Sequence, residues 1–70
     1  MRTREQRKLE VFEYLKEVIS NGGYPPTVRE IMKACNINST SIVHQSLTDL
    51  EYDGYIKREE RSSRAIKIIK

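Results

Sequence analysis

The stretch PPTVREIMKACNINSTSIVHQSLTDLEYDG, residues 25–54, decides the fold. Two prolines, which cannot continue a helix, are followed by Thr27-Val-Arg-Glu30, the pattern of a capping box that starts one. Apolar residues then recur at helical spacing as far as Cys35, which we expect to be a small core residue. Asn36 tolerates the left-handed backbone of a tight turn, and Ile37 is expected to plug that turn. These signals predict a short helix that ends in a turn.

A further helix is predicted to begin at residues 39–41, where Ser, Thr and Ser are alternative N-caps, and to end with Gly54 as its C-cap. An apolar stripe on this helix consists of Val43, Leu47 and Leu50. The opposite side of the helical wheel carries Ser41, Gln45, Thr48 and Tyr52, with Ile42 and His44 on the two flanks. The outward face of its first two turns is therefore small, polar and uncharged.

The flanking sequence completes an α+β pattern. Thr3-Arg-Glu-Gln6 is a second capping box and predicts a helix from Thr3 to about Asn21, with Leu9, Phe12, Leu15 and Ile19 on one face. Residues 55–58 and 65–69 are predicted strands of a hairpin, separated by a polar segment. The predicted fold is a winged helix-turn-helix, three helices followed by a two-stranded β-hairpin wing, in a single domain over residues 1–70.

Composition excludes several classes of protein. The chain has 70 residues, of which 37% are hydrophobic and 33% charged, and no apolar run exceeds two residues. It has neither a membrane span nor a secretory signal, so a cytoplasmic protein is expected. One cysteine and one histidine cannot build an internal disulfide or a four-ligand zinc site, and no glycine-rich phosphate loop occurs. We expect no metal, no cofactor and no enzymatic activity.

Charge is distributed in blocks. Residues 1–8 carry a net charge of +3 and residues 57–70 one of +4, whereas residues 9–56 carry −4. Residues 31–48 nevertheless contain no Asp or Glu. A surface that approaches phosphates is weakened by each carboxylate on it, so this segment favours a nucleic-acid partner, although an acid-free stretch of this length also arises by chance. The basic ends are expected to contact backbone phosphates on either side.

Three motifs carry a resemblance to a known family: Gly-x-Pro-Pro-Thr-x-x-Glu-Ile over residues 23–31, Ser-x-x-x-Val-His over residues 39–44, and Gly54-Tyr-Ile followed by Arg64-Ala-Ile. With them the chain resembles the N-terminal DNA-binding domain of LexA-type repressors, in the form found in Gram-positive bacteria. The resemblance covers nearly the whole chain. It implies repression of transcription at SOS-type, palindromic operators in double-stranded DNA, with weak homodimers that pair on the DNA.

The same resemblance places the third helix in the major groove and assigns candidate site residues. Base-contacting residues would be Ser41, Ile42, His44 and Gln45. From the residues themselves, backbone contacts are predicted for Ser39, Thr48, Thr27, Arg61 and Arg64, and a minor-groove contact is the alternative for the two arginines. A Gln side chain can hydrogen-bond to adenine, and a Ser hydroxyl can act as donor or acceptor. An Ile side chain can make an apolar contact with a thymine methyl group. In the alternative interpretation, these are ordinary surface residues and the hairpin arginines only solubilise an edge. The tyrosines at 24, 52 and 55 are expected to be packing or rim residues.

The chain departs from the family in two respects. The family's turn commonly has glycine where this sequence has Asn36. LexA repressors also continue into a self-cleaving domain with a serine and lysine dyad and a cleavable alanine-glycine bond, and neither element occurs in these 70 residues. The chain is then a domain of a longer repressor or a free-standing regulator. A second hypothesis, from another functional class, is a protein-interaction winged helix that acts as an adaptor or antirepressor.

Overall fold

Three helices precede an antiparallel pair of strands. The computed structural model describes residues 3–58 and 66–70 of the chain. The elements are α1 (Arg4–Ser20), α2 (Val28–Cys35), α3 (Thr40–Tyr52), β1 (Ile56–Arg58) and β2 (Ile66–Ile68). In the hairpin Ile56 pairs with Ile68 and Lys57 with Lys67. The predicted winged helix-turn-helix is confirmed, and residues 59–65, which include Ala65 of the predicted second strand, lie outside the described residues.

Two of the helices begin with the predicted capping boxes. The hydroxyls of Thr3 and Thr27 accept hydrogen bonds from the backbone amides of Gln6 and Glu30, whose side chains accept from the two capping amides in return. α3 begins differently: Ser39 is its N-cap, but the Ser39 side chain makes no capping hydrogen bond. The first-turn amides of α3 therefore receive no side-chain acceptor from this residue.

Left-handed residues end the helices. Asn36 has φ 54° and ψ 48°, as the turn after α2 requires, and Ile37 behind it is buried. At the end of α3 the C-cap is Asp53, so the prediction of Gly54 as the cap is wrong by one residue. Gly54 follows with φ 80°, and the amide of Tyr55 donates to the Leu50 carbonyl at 2.9 Å. This Schellman-type closure leads the chain directly into β1.

One hydrophobic core joins all three helices and the hairpin. Its buried members are Val11, Phe12, Leu15, Ile31, Cys35, Ile37, Val43, Leu47, Leu50 and Ile56. The predicted burial of Cys35 is confirmed. Leu9 is 41% exposed, contrary to the predicted α1 face, because the inward side of α1 is centred on Val11 and Leu15. Lys8, one turn before Val11, occupies the buried position instead. No helix among the described residues is long and apolar enough to cross a membrane.

Candidate nucleic-acid interface

The outward face of α3 has the composition predicted for it. Ser41, His44, Gln45 and Thr48 are exposed, while the opposite side of the helix is buried in the core. Ile42 is half-buried and packs against the core edge, so only part of its side chain is open to a partner. Sequence reasoning missed Ser46, a polar residue that is buried on the inner side. The structure thus presents the four base-contact candidates on one helix, and their contacts with bases stay a prediction.

The start of α3 is open to an anion. Its first turn contains no acidic residue, and Ser39, which is half-buried, leaves the first-turn amides without a side-chain cap. Free amides and the helix dipole both favour negative charge at such a position. The phosphate role predicted for Ser39 is compatible with this geometry and stays a prediction.

Thr27 at the start of α2 is engaged within the protein. Its hydroxyl accepts from the Glu30 amide at 3.2 Å and donates to the Glu30 carboxylate at 3.0 Å. The same carboxylate oxygen accepts from the Thr27 amide at 3.1 Å. The predicted phosphate contact of Thr27 would therefore compete with Glu30 for the hydroxyl proton.

Thr48 belongs to a contact that joins α3 to the hairpin. The guanidinium of Arg58 on β1 donates to the Thr48 hydroxyl at 3.4 Å and to the Glu51 carboxylate at 3.2 Å. The Arg58 backbone amide also donates to Glu51, at 3.3 Å. Thr48 is still exposed, so its hydroxyl proton remains available to a phosphate on the outer side of the helix.

Basic residues of α1 bind acidic residues at the end of α3. Arg4 donates two hydrogen bonds to Asp49, from Nε to Oδ2 and from Nη2 to Oδ1, each at 2.8 Å. These bonds and the attraction of the opposite charges raise the pKa of the Arg4 guanidinium and lower the pKa of the Asp49 carboxyl. A bidentate ion pair of this kind fixes the orientation of both side chains.

Lys8 makes the second of these links. Its Nζ lies 2.7 Å from Asp53, the C-cap of α3, and 3.0 Å from Glu5, and its side chain is only 8% exposed. Hydrogen bonds to Asp53 and Glu5 raise the pKa of the Lys8 ammonium. The ammonium also lies 5.6 Å from the centre of the Tyr55 ring. Lys8 is therefore a structural residue that holds α1 against the junction of α3 and the hairpin.

These ion pairs engage two of the four basic residues of the N-terminal segment, and the expectation that this segment contacts phosphates stays a prediction. Arg4 and Lys8 are bound to Asp49 and Asp53, in both cases 45 residues away, and Arg58 is bound to Glu51. The acidic residues of α3 and its C-cap, which are Asp49, Glu51 and Asp53, therefore each have a basic partner. The repulsion that α3 exerts on phosphates is therefore weaker than its sequence suggests.

The hairpin presents cations of its own. Lys57 and Lys67 are directly opposite each other across the two strands, and both are exposed. Like charges in this relation are destabilising unless an anion lies near them. Arg61 and Arg64, the predicted phosphate contacts, lie outside the described residues. Within residues 3–58 and 66–70 no cluster of three or more His, Cys, Asp or Glu side chains is arranged to hold a metal ion.

The helix-turn-helix, the following hairpin and the uncharged outer face of α3 define a winged helix-turn-helix module of the DNA-binding class. The family model for the LexA DNA binding domain matches residues 1–65. The chain therefore belongs to the LexA DNA-binding domain family.

Individual relatives agree with this assignment. The chain is 46% identical to a LexA repressor of Staphylococcus haemolyticus and 45% identical to those of Clostridium novyi and Staphylococcus aureus, over 69 residues in each case. These alignments cover 99% of this chain but only 33% or 34% of the relatives, so the chain spans about a third of their length. No solved structure matches it.

Proposed function

We propose that this domain reads operator sequence for a transcription repressor of the LexA type, in the cytoplasm and at SOS-type operators. The observation that carries the proposal is the outer face of α3, which is exposed, polar and uncharged while the acids of the same helix are held in ion pairs. Such a face brings hydrogen-bonding groups to base edges without placing a free carboxylate against the phosphates.

Base recognition is assigned to the first two turns of α3. Gln45 has the amide geometry to donate to and accept from one adenine, and Ser41 serves as either donor or acceptor. His44 offers ring nitrogens to a base or phosphate, and the exposed part of Ile42 suits a thymine methyl group. These four side chains follow one another along the helix, so they address neighbouring base pairs of one half-site.

Backbone phosphates are assigned to residues around this face. Ser39 and the free first-turn amides of α3 bind one phosphate, and Thr48 binds another through its hydroxyl proton. Thr27 at the start of α2, together with Arg61 and Arg64, which lie between the two strands in the sequence, completes the proposed set. These two arginines supply the charge neutralisation that fixes the domain on the duplex.

Two copies of the domain bind a palindromic operator in this proposal. A two-fold symmetric pair of recognition helices matches two half-sites separated by about one turn of DNA, or a multiple of it. Taken by itself, a domain of 70 residues is expected to pair weakly in solution and to form its homodimer on the DNA.

Selection from a random duplex library tests the proposal. We expect the recovered sequences to converge on a palindrome, with binding that weakens steeply as salt rises because phosphate contacts release counterions. If no sequence is enriched and duplex affinity hardly depends on salt, the domain is instead a protein-interaction winged helix, an adaptor or antirepressor.

A further inference from the structure

Tyr52, the last residue of α3, lies outside the hydrophobic core. It is 90% exposed, and within residues 3–58 and 66–70 its side chain makes no hydrogen bond, ion pair or ring contact. A single exposed aromatic residue is common on protein surfaces and does not by itself indicate a ligand. The ligand is indicated instead by the position of Tyr52 relative to the proposed base-reading face.

Tyr52 continues the line of Ser41, Gln45 and Thr48, at successive spacings of four, three and four residues along the same side of α3. It lies 11 residues after Ser41, which corresponds to about 16 Å along the helix axis. In a helix-turn-helix the N-terminal residues of the recognition helix reach the base edges. With Ser41 and Gln45 in those positions, the last turn of α3 lies farther from the bases, on the side of Thr48 to which we assign a phosphate, and Tyr52 faces the sugar-phosphate backbone there.

The charges around Tyr52 permit this approach. Asp49 and Asp53, its neighbours on α3, are bound to Arg4 and Lys8 at 2.8 and 2.7 Å. Tyr52 lines an open groove together with these four residues and Glu5, which binds Lys8 at 3.0 Å, and the Arg4 side chain there is 64% exposed. A neutral hydroxyl is a suitable donor at such a site because it adds no further charge to the ion pairs.

We infer that Tyr52 donates its phenolic O–H to a phosphate of bound DNA at the edge of the major groove. This inference rests on the proposed function, because it places α3 on the bases. The hydrogen bond has a charged acceptor and a neutral donor. It therefore adds affinity on any sequence and neutralises no phosphate, which leaves the salt dependence of binding unchanged.

Hydroxyl deletion provides the test. Tyr52→Phe removes one exposed oxygen and leaves the ring, and Tyr52→Ala removes the ring as well. Tyr14→Phe is the matched control, because Tyr14 is half-buried on α1 and does not lie on the outer face of α3. Thermal unfolding of each variant verifies the fold. Affinity is measured on three duplexes: the selected palindrome, one half-site, and a scrambled sequence of equal length.

We expect Tyr52→Phe to bind about tenfold more weakly on all three duplexes, with the parent's salt slope, and Tyr14→Phe to bind like the parent. Tyr52→Ala should lose at least as much. Parental affinity of Tyr52→Phe would overturn the inference. So would a loss confined to the palindrome, which indicates contact with the second copy, or a loss confined to selected sequences, which indicates base reading.

A parallel titration of Gln45→Ala separates this inference from the proposed function. If Gln45→Ala binds selected and scrambled duplexes in the parental ratio, the base-reading proposal itself fails. If Gln45→Ala loses selectivity while Tyr52→Phe binds normally, only the role of Tyr52 is wrong.

Discussion

Arg4 and Asp49 are joined by two hydrogen bonds of 2.8 Å, although 45 residues separate them in the chain. The pair connects the first turn of α1 to the last turn of α3. It holds the two helices together at the surface, outside the hydrophobic core. Because the carboxylate is the partner, the strength of this link depends on the ionisation of Asp49.

The stability of the domain should therefore respond to acid through this pair. Arg4 lowers the pKa of Asp49 from its ordinary value of 3.8, so the stabilisation is complete above that value and is lost as pH falls through the lower folded-state pKa. We expect Arg4→Gln to be less stable than the parent at about pH 6 and to approach it at about pH 2. Urea unfolding at both pH values measures the difference.

Arg7→Gln is the control for this prediction. Arg7 makes no ion pair within the part of the chain that the structure describes, so its replacement should shift stability equally at both pH values. A difference between Arg4→Gln and the parent that stays constant or grows in acid would contradict the assigned link.

The elements set by local sequence were predictable, and the ion pairs between elements were not. Thr3, Thr27 and Asn36 act within a few residues of themselves, so capping and turn chemistry located the helix ends to within about one residue. Lys8 was assigned to a basic surface because lysine is seldom buried, and the approach of Asp53 and the Tyr55 ring, which are distant in sequence, accounts for its burial. The outer face of α3 followed from helical periodicity, whereas the neutralisation of its acids depends on tertiary distances.

Replacing Gln45 should change sequence preference. Gln45→Ala removes a side chain that the proposed function places on one adenine, so the preference at that base pair should fall by about 1 to 3 kcal/mol. Competition binding against duplexes that differ at single positions measures this loss. Equal weakening on the selected and scrambled duplexes would exclude a base-reading role.

Replacing Arg64 should lower the affinity for DNA without changing the sequence preference, unlike the replacement of Gln45. Arg64 lies outside the described residues, and the prediction follows from its basic hairpin sequence. Arg64→Ala should weaken selected and scrambled DNA alike and reduce the slope of log affinity against log salt by about 1, as expected when one phosphate contact is lost. An unchanged slope would show that Arg64 neutralises no phosphate.

Replacing Asn36 should show how much the left-handed backbone conformation of the turn lowers the free energy of unfolding. With φ 54°, Asn36→Ala is expected to destabilise the domain by about 1 kcal/mol, whereas Asn36→Gly should be neutral or slightly stabilising because glycine adopts this backbone without strain. Denaturant midpoints of the two variants give the comparison. Alanine and glycine variants of equal stability would mean that the turn relaxes to another conformation.

The short junction between α3 and β1 has a consequence for the DNA. Only residues 53–55 separate the two elements, the Tyr55 amide is bonded to Leu50, and Arg58 is bonded to Glu51. These bonds attach the base of the wing to α3, so we expect the distance between the two DNA-contacting parts to change little. An operator must bend or adjust its groove width to satisfy both parts at once, so flexible and stiff sequences with identical base contacts should differ in affinity.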